Sequence, residues 1–293
     1  MSGGAPILVV GSVAFDEVRT PFGAGADLLG GSATHFSVAA SYFTPVRLVA
    51  VVGEDFTEAH AAPLRERGVD LAGLQRRAGR TFRWAGEYDF DLNNPRTLDT
   101  QLNVFAEFRP DLPAGWEETP VVFLANIDPE LQGSVREMVR EPRLVAADTM
   151  NFWIAGKPEA LRHTLRSVDV LLINDGEVRQ FTGRWNLVEA AEEIHALGPR
   201  TVVIKRGEHG VLVFAPDDVF AVPAYPLRRV LDPIGAGDAF AGGFLGHLAA
   251  RGGGGLGDGV VPGGVLLPGA GAAPAARGDR GALRRVPEAH GVR

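Results

Sequence analysis

The run Asp232-Pro233-Ile234-Gly235-Ala236-Gly237-Asp238 leads directly into an apolar, helix-compatible stretch over 239–250. A turn of small residues at a helix N-terminus leaves backbone N–H groups without intrahelical partners, and the positive end of the helix dipole reinforces them. Together they make a site for phosphate oxygens. Asp238 falls where such a phosphate would be held. A carboxylate there can take the proton of a hydroxyl as that hydroxyl attacks a phosphoryl group, the base role in phosphoryl transfer. A glycine-rich turn with an aspartate in the first helical turn is also ordinary punctuation, so the chemistry must be supported by the elements around it.

Those elements alternate. Short apolar runs at 7–10, 48–52, 121–124, 144–147, 168–173 and 202–204 have the form of strands buried on both faces. Helical patterns lie between them at 34–42, 57–67, 129–140, 158–167 and 187–197. The alternation predicts an α/β fold with a mainly parallel sheet covered by helices on both faces. Ligands then bind beyond the C-terminal ends of the strands. That places Asp16, Asp148, Asn151, Asn174, Glu177 and Lys205 among the candidate site residues. One segment breaks the pattern: over 81–90, Phe82, Trp84, Tyr88 and Phe90 alternate with Arg83, Glu87 and Asp89. Period two means β structure. A small β lid around 80–105 is one reading, and an edge hairpin packed on the core is the other.

Composition narrows the classes. The chain has 293 residues, 45% hydrophobic and 22% charged, enough for one large domain with a full core. It has no cysteine, which excludes disulfides, thiolate metal sites and a cysteine nucleophile. A net charge of −7 argues against a nucleic-acid surface. The apolar run at 7–10 is too short for a signal-peptide core or a membrane span, so a cytoplasmic protein with no membrane partner is expected. The segment Gly11-Ser12-Val13-Ala14-Phe15-Asp16 lacks the Gly-x-Gly-x-x-Gly expected of a dinucleotide-dependent oxidoreductase.

Four motifs in order resemble those of the ribokinase-like, or PfkB, family of sugar and nucleoside kinases. The family signature Asp-Thr-x-Gly-Ala-Gly-Asp is similar to Asp232 through Asp238, the N-terminal Gly-Gly to Gly30-Gly31, and the Asn-x-x-Glu motif to Asn174-Asp175-Gly176-Glu177. The turn Lys205-Arg206-Gly207-Glu208-His209-Gly210 resembles the family's nucleotide-proximal turn. The resemblance runs from about residue 7 to 250 and implies a ribokinase-like kinase domain over 1–250 that uses ATP and Mg²⁺. It implies that Asp238 is the general base and that the amides of Gly235, Ala236 and Gly237 form the anion hole. Asp16 would accept hydrogen bonds from acceptor hydroxyls, with Gly30 and Gly31 allowing close backbone approach. Asn174, Lys205, Gly207 and Gly210 would line the nucleotide, and Glu177 would reach Mg²⁺ through water.

Two departures bear on the acceptor. Ile234 replaces the usual Thr, removing a hydroxyl beside the anion hole while leaving the backbone donors. His35 stands where many sugar-specific members carry a substrate-binding Asn. The expected function is transfer of the γ-phosphoryl group of ATP to a small sugar. A nucleoside kinase and a catalytically weak ligand-binding homologue are the alternatives, and lid strands of this kind could pair two subunits into a homodimer. From 251 to 293 the chain is rich in Gly, Pro and Arg, without an aromatic residue or a helical or strand period. This tail reads either as a natural disordered extension or as the product of a shifted reading frame.

Overall fold

A computed structural model describes residues 4–251 apart from 91, 93, 94, 217, 229 and 231. The tail at 252–293 lies outside the described residues. The chain begins with β1 (Ile7–Val10), β2 (Ala14–Thr20), β3 (Gly23–Gly30), α1 (Ser32–Ala40), β4 (Val46–Val52), α2 (Glu58–Arg65) and β5 (Asp70–Arg76). It continues with β6 (Phe82–Glu87), β7 (Arg96–Gln101), β8 (Val121–Leu124), α3 (Pro129–Met138), β9 (Leu144–Asp148), α4 (Asn151–Gly156) and α5 (Pro158–Leu165). The last elements are β10 (Val170–Asn174), α6 (Asp175–Thr182), α7 (Leu187–His195), β11 (Thr201–Lys205), β12 (Val211–Phe214), β13 (Val219–Val222) and α8 (Ala236–Ala250).

Nine strands form one sheet in the order β13-β12-β11-β10-β9-β8-β1-β4-β5. Every pairing from β11 to β5 is parallel, and only the two pairings of β12, with β11 and with β13, are antiparallel. The apolar runs are continuous because successive side chains feed opposite cores. Ile7 and Val9 pack with residues of α1, α2 and α8, whereas Leu8 and Val10 pack with residues of α3, α5, α6 and α7. The expected parallel sheet with helices on both faces is therefore present. Its connections reverse direction between β1 and β8, which opens a crevice at the strand C-termini.

A second sheet has the order β3-β2-β6-β7. The period-two segment supplies β6, which pairs in parallel with β2 and antiparallel with β7. Two of its strands come from 14–30, so the small sheet extends well beyond the expected 80–105. Asp16 thus stands on a strand and not in a loop. The aromatic alternation also ends early: Phe82 stacks on Phe105 and Tyr88 is buried, but the strand stops at Glu87 and Phe90 is 79% exposed.

Helices α1 and α8 lie side by side in near-backbone contact. A methyl on Gly242 would collide with the Phe36 carbonyl oxygen and lie 3.0 Å from Ala39 Cβ and 3.1 Å from Ala40 N. We expect Gly242→Ala to lower stability by about 1–3 kcal/mol, as overpacking does, read as a shifted urea midpoint at unchanged slope. Gly156→Ala in α4, where no atom lies within 4 Å, serves as control. Equal midpoints for the two variants would refute this close packing.

Candidate active site

Three adjacent parallel strands end together at the crevice, and each delivers a polar side chain. Asp148 closes β9, Asn174 closes β10 and Lys205 closes β11. In register, Asn174 pairs with Lys205, and Asp148 pairs with Leu172 two residues earlier on β10. Lys205 Nζ donates to Asp148 Oδ2 at 2.7 Å. The carboxylate of this pair is buried and the lysine side chain keeps 17% of its exposure.

Asn174 and Glu177 first serve each other. The Glu177 amide donates to Asn174 Oδ1 at 2.7 Å, and the Asn174 amide donates to Glu177 Oε2 at 2.9 Å. This capping box satisfies two donors at the start of α6. It also fixes the Glu177 carboxyl within electrostatic reach of Lys205 and Asp148.

The glycine-rich turn approaches from the opposite face. Gly235 caps α8 with φ of 68°, a left-handed conformation suited to glycine. The His35 ring lies directly against it, so a methyl there would strike the imidazole. Asp232 Oδ1 accepts from the Ile234 amide at 2.8 Å and steadies the turn. Asp238 follows in the first helical turn of α8. Burial raises its pKa to about 7; Asp148 adds to the rise, Lys205 opposes it, and Asp16 and Glu177 raise it further. Burial likewise brings Glu177 to about 7.

Asp16 enters from β2. Its carboxyl lies over Gly30, where a side chain would overlap it, and the Gly31 amide donates to it. Gly31 has φ of 93°, and a methyl there would lie 2.5 Å from the Ser12 carbonyl oxygen. Ser12 Oγ in turn accepts from the Ser32 amide at 3.0 Å and so caps α1 from a distant loop. Burial lifts Asp16 to about 7, with Asp232 contributing. A cleft of about 210 Å³ on the small sheet is lined by Phe15, Asp16, Arg83, Trp84, Asp99 and Gln101.

The structure therefore draws Asp238, Asp16, Glu177 and Lys205 into one electrostatic cluster, with Gly30, Gly31, Gly235, Ala236, Gly237 and His35 at its backbone turns. His35 Nε2 is buried without a partner, and burial lowers the ring's pKa. Gly207 and Gly210 are not drawn in: they shape the turn between β11 and β12, where Arg206 donates to the Gly210 carbonyl at 2.8 Å. Tyr88, which the sequence reading left among the lid aromatics, lies within electrostatic reach of the same cluster. Burial raises its pKa, and Asp232, Asp16 and Asp238 all act on it in the same sense. Asp148 was placed at a strand end, but its pairing with Lys205 had no signal in the sequence.

Among the described residues no three acidic or histidine groups are arranged to hold a metal directly. None of the helices there is long and apolar enough to cross a membrane.

The sequence over residues 137–258 matches the model described as pfkB family carbohydrate kinase. The chain is 30% identical over 252 residues to a cytidine kinase of Thermococcus kodakarensis, covering 82% of this chain and 87% of that one. The fold superposes with a TM-score of 0.69 on a Burkholderia thailandensis nucleoside kinase in complex with inosine, at 18% identity, covering 84% and 88% of the two chains. It superposes with a TM-score of 0.70 on an Escherichia coli chain assigned to ribokinase II, in complex with ATP and Mg²⁺, at 18% identity and 85% and 87% coverage. The architecture is ribokinase-like.

The raised carboxyls set the pH dependence of stability. Folded Asp16, Glu177 and Asp238 hold protons to about pH 7, against unfolded values of 3.8, 4.5 and 3.8. Their contribution is complete at low pH and is lost as the pH rises through about 7. His35, kept neutral by burial, acts in the opposite sense below its ordinary 6.5. The ligand-free Tm is therefore expected to climb as the pH falls from about 8 to about 6.5, less steeply in Asp238→Asn. A Tm that is level or falls across that window would contradict these environments.

Proposed function

Because the chain belongs to the pfkB family of carbohydrate kinases, we propose that it moves the γ-phosphoryl group of ATP onto a hydroxyl of an unphosphorylated acceptor, a nucleoside in preference to a small sugar. The observation that carries the reading is Asp238, poised near neutrality in the first turn of α8 behind the turn of Gly235, Ala236 and Gly237. A general base is most effective when its pKa lies near the working pH.

In this reading Asp238 takes the proton of the acceptor hydroxyl. The acceptor oxygen bonds to the γ-phosphorus as the bond to the β–γ bridging oxygen breaks, and ADP leaves with that electron pair. The amides of Gly235, Ala236 and Gly237 receive the charge that develops on the phosphoryl oxygens, without reorganising. Asp16, with the Gly30-Gly31 backbone, orients the acceptor, and His35 and Tyr88 bound the same space. Asn174, Gly207 and Gly210 belong to the nucleotide side.

The residues fit Mg²⁺ held mainly by phosphates and water. Glu177 has one oxygen engaged in the capping box and leaves the other without a hydrogen-bond partner among the described residues, which suits an ion that keeps several of its waters. When bound, Mg²⁺ would supply charge neutralisation on the phosphates of the nucleotide. The nucleoside preference rests on the cytidine kinase relative, which the chain matches across most of its length. Trp84 and Tyr88 beside Asp16 offer aromatic surface suited to a base. We further propose that the enzyme works in the cytoplasm and pairs through the strands of the small sheet as a homodimer.

Coupled ADP release, measured with ATP and Mg²⁺ against nucleosides, pentoses, hexoses and sugar phosphates, tests the reading. Turnover is expected with a nucleoside, and Asp238→Asn should lower kcat by at least about a hundredfold with little change in nucleotide affinity. Turnover on a free sugar alone would reassign the acceptor. A folded protein whose Tm rises with ligand but which releases no ADP would be a binding homologue, and the kinase reading would fall.

A further inference from the structure

The phosphotransferase reading leaves one partly buried cation without a task beyond lining the nucleotide. Lys205 is coupled to Asp148, Glu177 and Asp238 at once. Its only hydrogen-bond acceptor among the described residues is Asp148, at 2.7 Å. An ammonium has three protons to donate, so two remain for a ligand. A lysine–aspartate pair with its carboxylate buried is a poor device for stability, because desolvation offsets most of its attraction. The position of Lys205 suggests a better reason for keeping it. A methyl on Gly237 would lie 3.1 Å from Lys205 Nζ and 3.8 Å from both Cδ and Cε. The ammonium and its stem thus lie against the middle of the turn whose amides are aimed at phosphate. Gly237, with no side chain, leaves room for the cation and the backbone donors to reach the same oxygens.

We propose that Lys205 is a catalytic residue, whose ammonium donates to the oxygens of the transferring phosphoryl group, and that Asp148 is a positioning residue that holds the ammonium beside Gly237. This inference rests on the phosphotransferase reading of the same site. Lys205 stays protonated throughout: the acceptor proton goes to Asp238, the new bond forms between the acceptor oxygen and the γ-phosphorus, and the electrons of the broken bond leave with ADP. Asp148 reaches Lys205 from β9 across the end of β10, so the ammonium is anchored by strands and not by a mobile loop. Such anchoring suits a donor that must be in place before charge develops.

The test compares the full-length wild type with Lys205→Met, Lys205→Arg and the double variant Lys205→Met/Asp148→Asn. The readouts are kcat on the best acceptor, Tm, and calorimetric affinities for ADP and for a non-hydrolysable ATP analogue with Mg²⁺. The double variant removes both charges together and guards against unfolding through an unpaired aspartate. We expect Lys205→Met and the double variant to lose about 10²- to 10³-fold in kcat, the scale for removing one transition-state donor, with Lys205→Arg retaining more. Affinity for the ATP analogue should fall in these variants while ADP affinity stays within about twofold of the wild type. A double variant with wild-type kcat, or equal weakening of ADP and the ATP analogue at unchanged kcat, would overturn the proposal and leave Lys205 structural or nucleotide-lining. A wild type that releases no ADP with any acceptor would instead sink the kinase reading, and the inference with it.

Discussion

Three carboxyl groups, those of Asp148, Glu177 and Asp238, act on the single ammonium of Lys205 in a partly buried space, and Asp16 acts on Asp238 in turn. Opposite charges within a protein interior interact far more strongly than in bulk solvent, but each buried charge also carries a desolvation cost. Burial is the main cause of the raised pKa of Asp16, Glu177 and Asp238, and neighbouring carboxyl groups add to it. Asp148 takes the ammonium's one described hydrogen bond. The ligand-free site is thus held away from its electrostatic optimum, and the parallel strands that end beside one another supply the rigidity to hold it there.

That rigidity has a second source in how closely the backbone packs. Helices α1 and α8 approach until only glycine fits at Gly242, and each begins at a glycine with positive φ, Gly31 and Gly235. Their N-terminal amides open toward the same crevice. Ser12, from the loop after β1, completes the cap of α1, while the His35 ring on α1 rests against the cap of α8. The two helix starts are therefore braced against each other, and a shift of one would be transmitted to the other. A site that distributes backbone donors between two helices needs this bracing, because an amide misplaced by an ångström no longer meets the oxygen it serves.

Much of this was legible in the sequence, and the gaps have physical reasons. Strands such as Val121–Leu124 and Val170–Asn174 declared themselves because burial on both faces demands unbroken apolar runs. The turn before Asp238 declared itself because small residues directly ahead of an apolar helical run mark a helix start. Strand β3 was invisible: its sequence Gly-Ala-Gly-Ala-Asp-Leu-Leu-Gly is mostly exposed and rich in glycine, so neither propensity nor alternation marks it. Strand β2 was passed over as a loop because a single turn of sequence separates it from β1. The pairing of Asp148 with Lys205 spans 57 residues and depends on strand register, which no local pattern records. Asn174 and Glu177 were read as nucleotide and metal groups, yet their spacing is that of a capping box, and the structure gives them that duty first.

The charge distribution also bears on the acceptor. Asp16, Asp232 and Asp238 all act on Tyr88, so the proposed acceptor side of the crevice carries three acidic groups. The guanidinium on the neighbouring strand, Arg83, is already bonded to Asp27 at 2.6 Å. A molecule bearing several hydroxyls offers these acidic groups donors and brings no charge. A phosphorylated acceptor would add two negative charges to a space where burial and mutual repulsion already hold carboxyls near neutrality. In the proposed kinase, the same buried and acidic setting that would prime Asp238 as a base would also select against anionic acceptors, so that catalysis and acceptor choice would derive from one electrostatic arrangement.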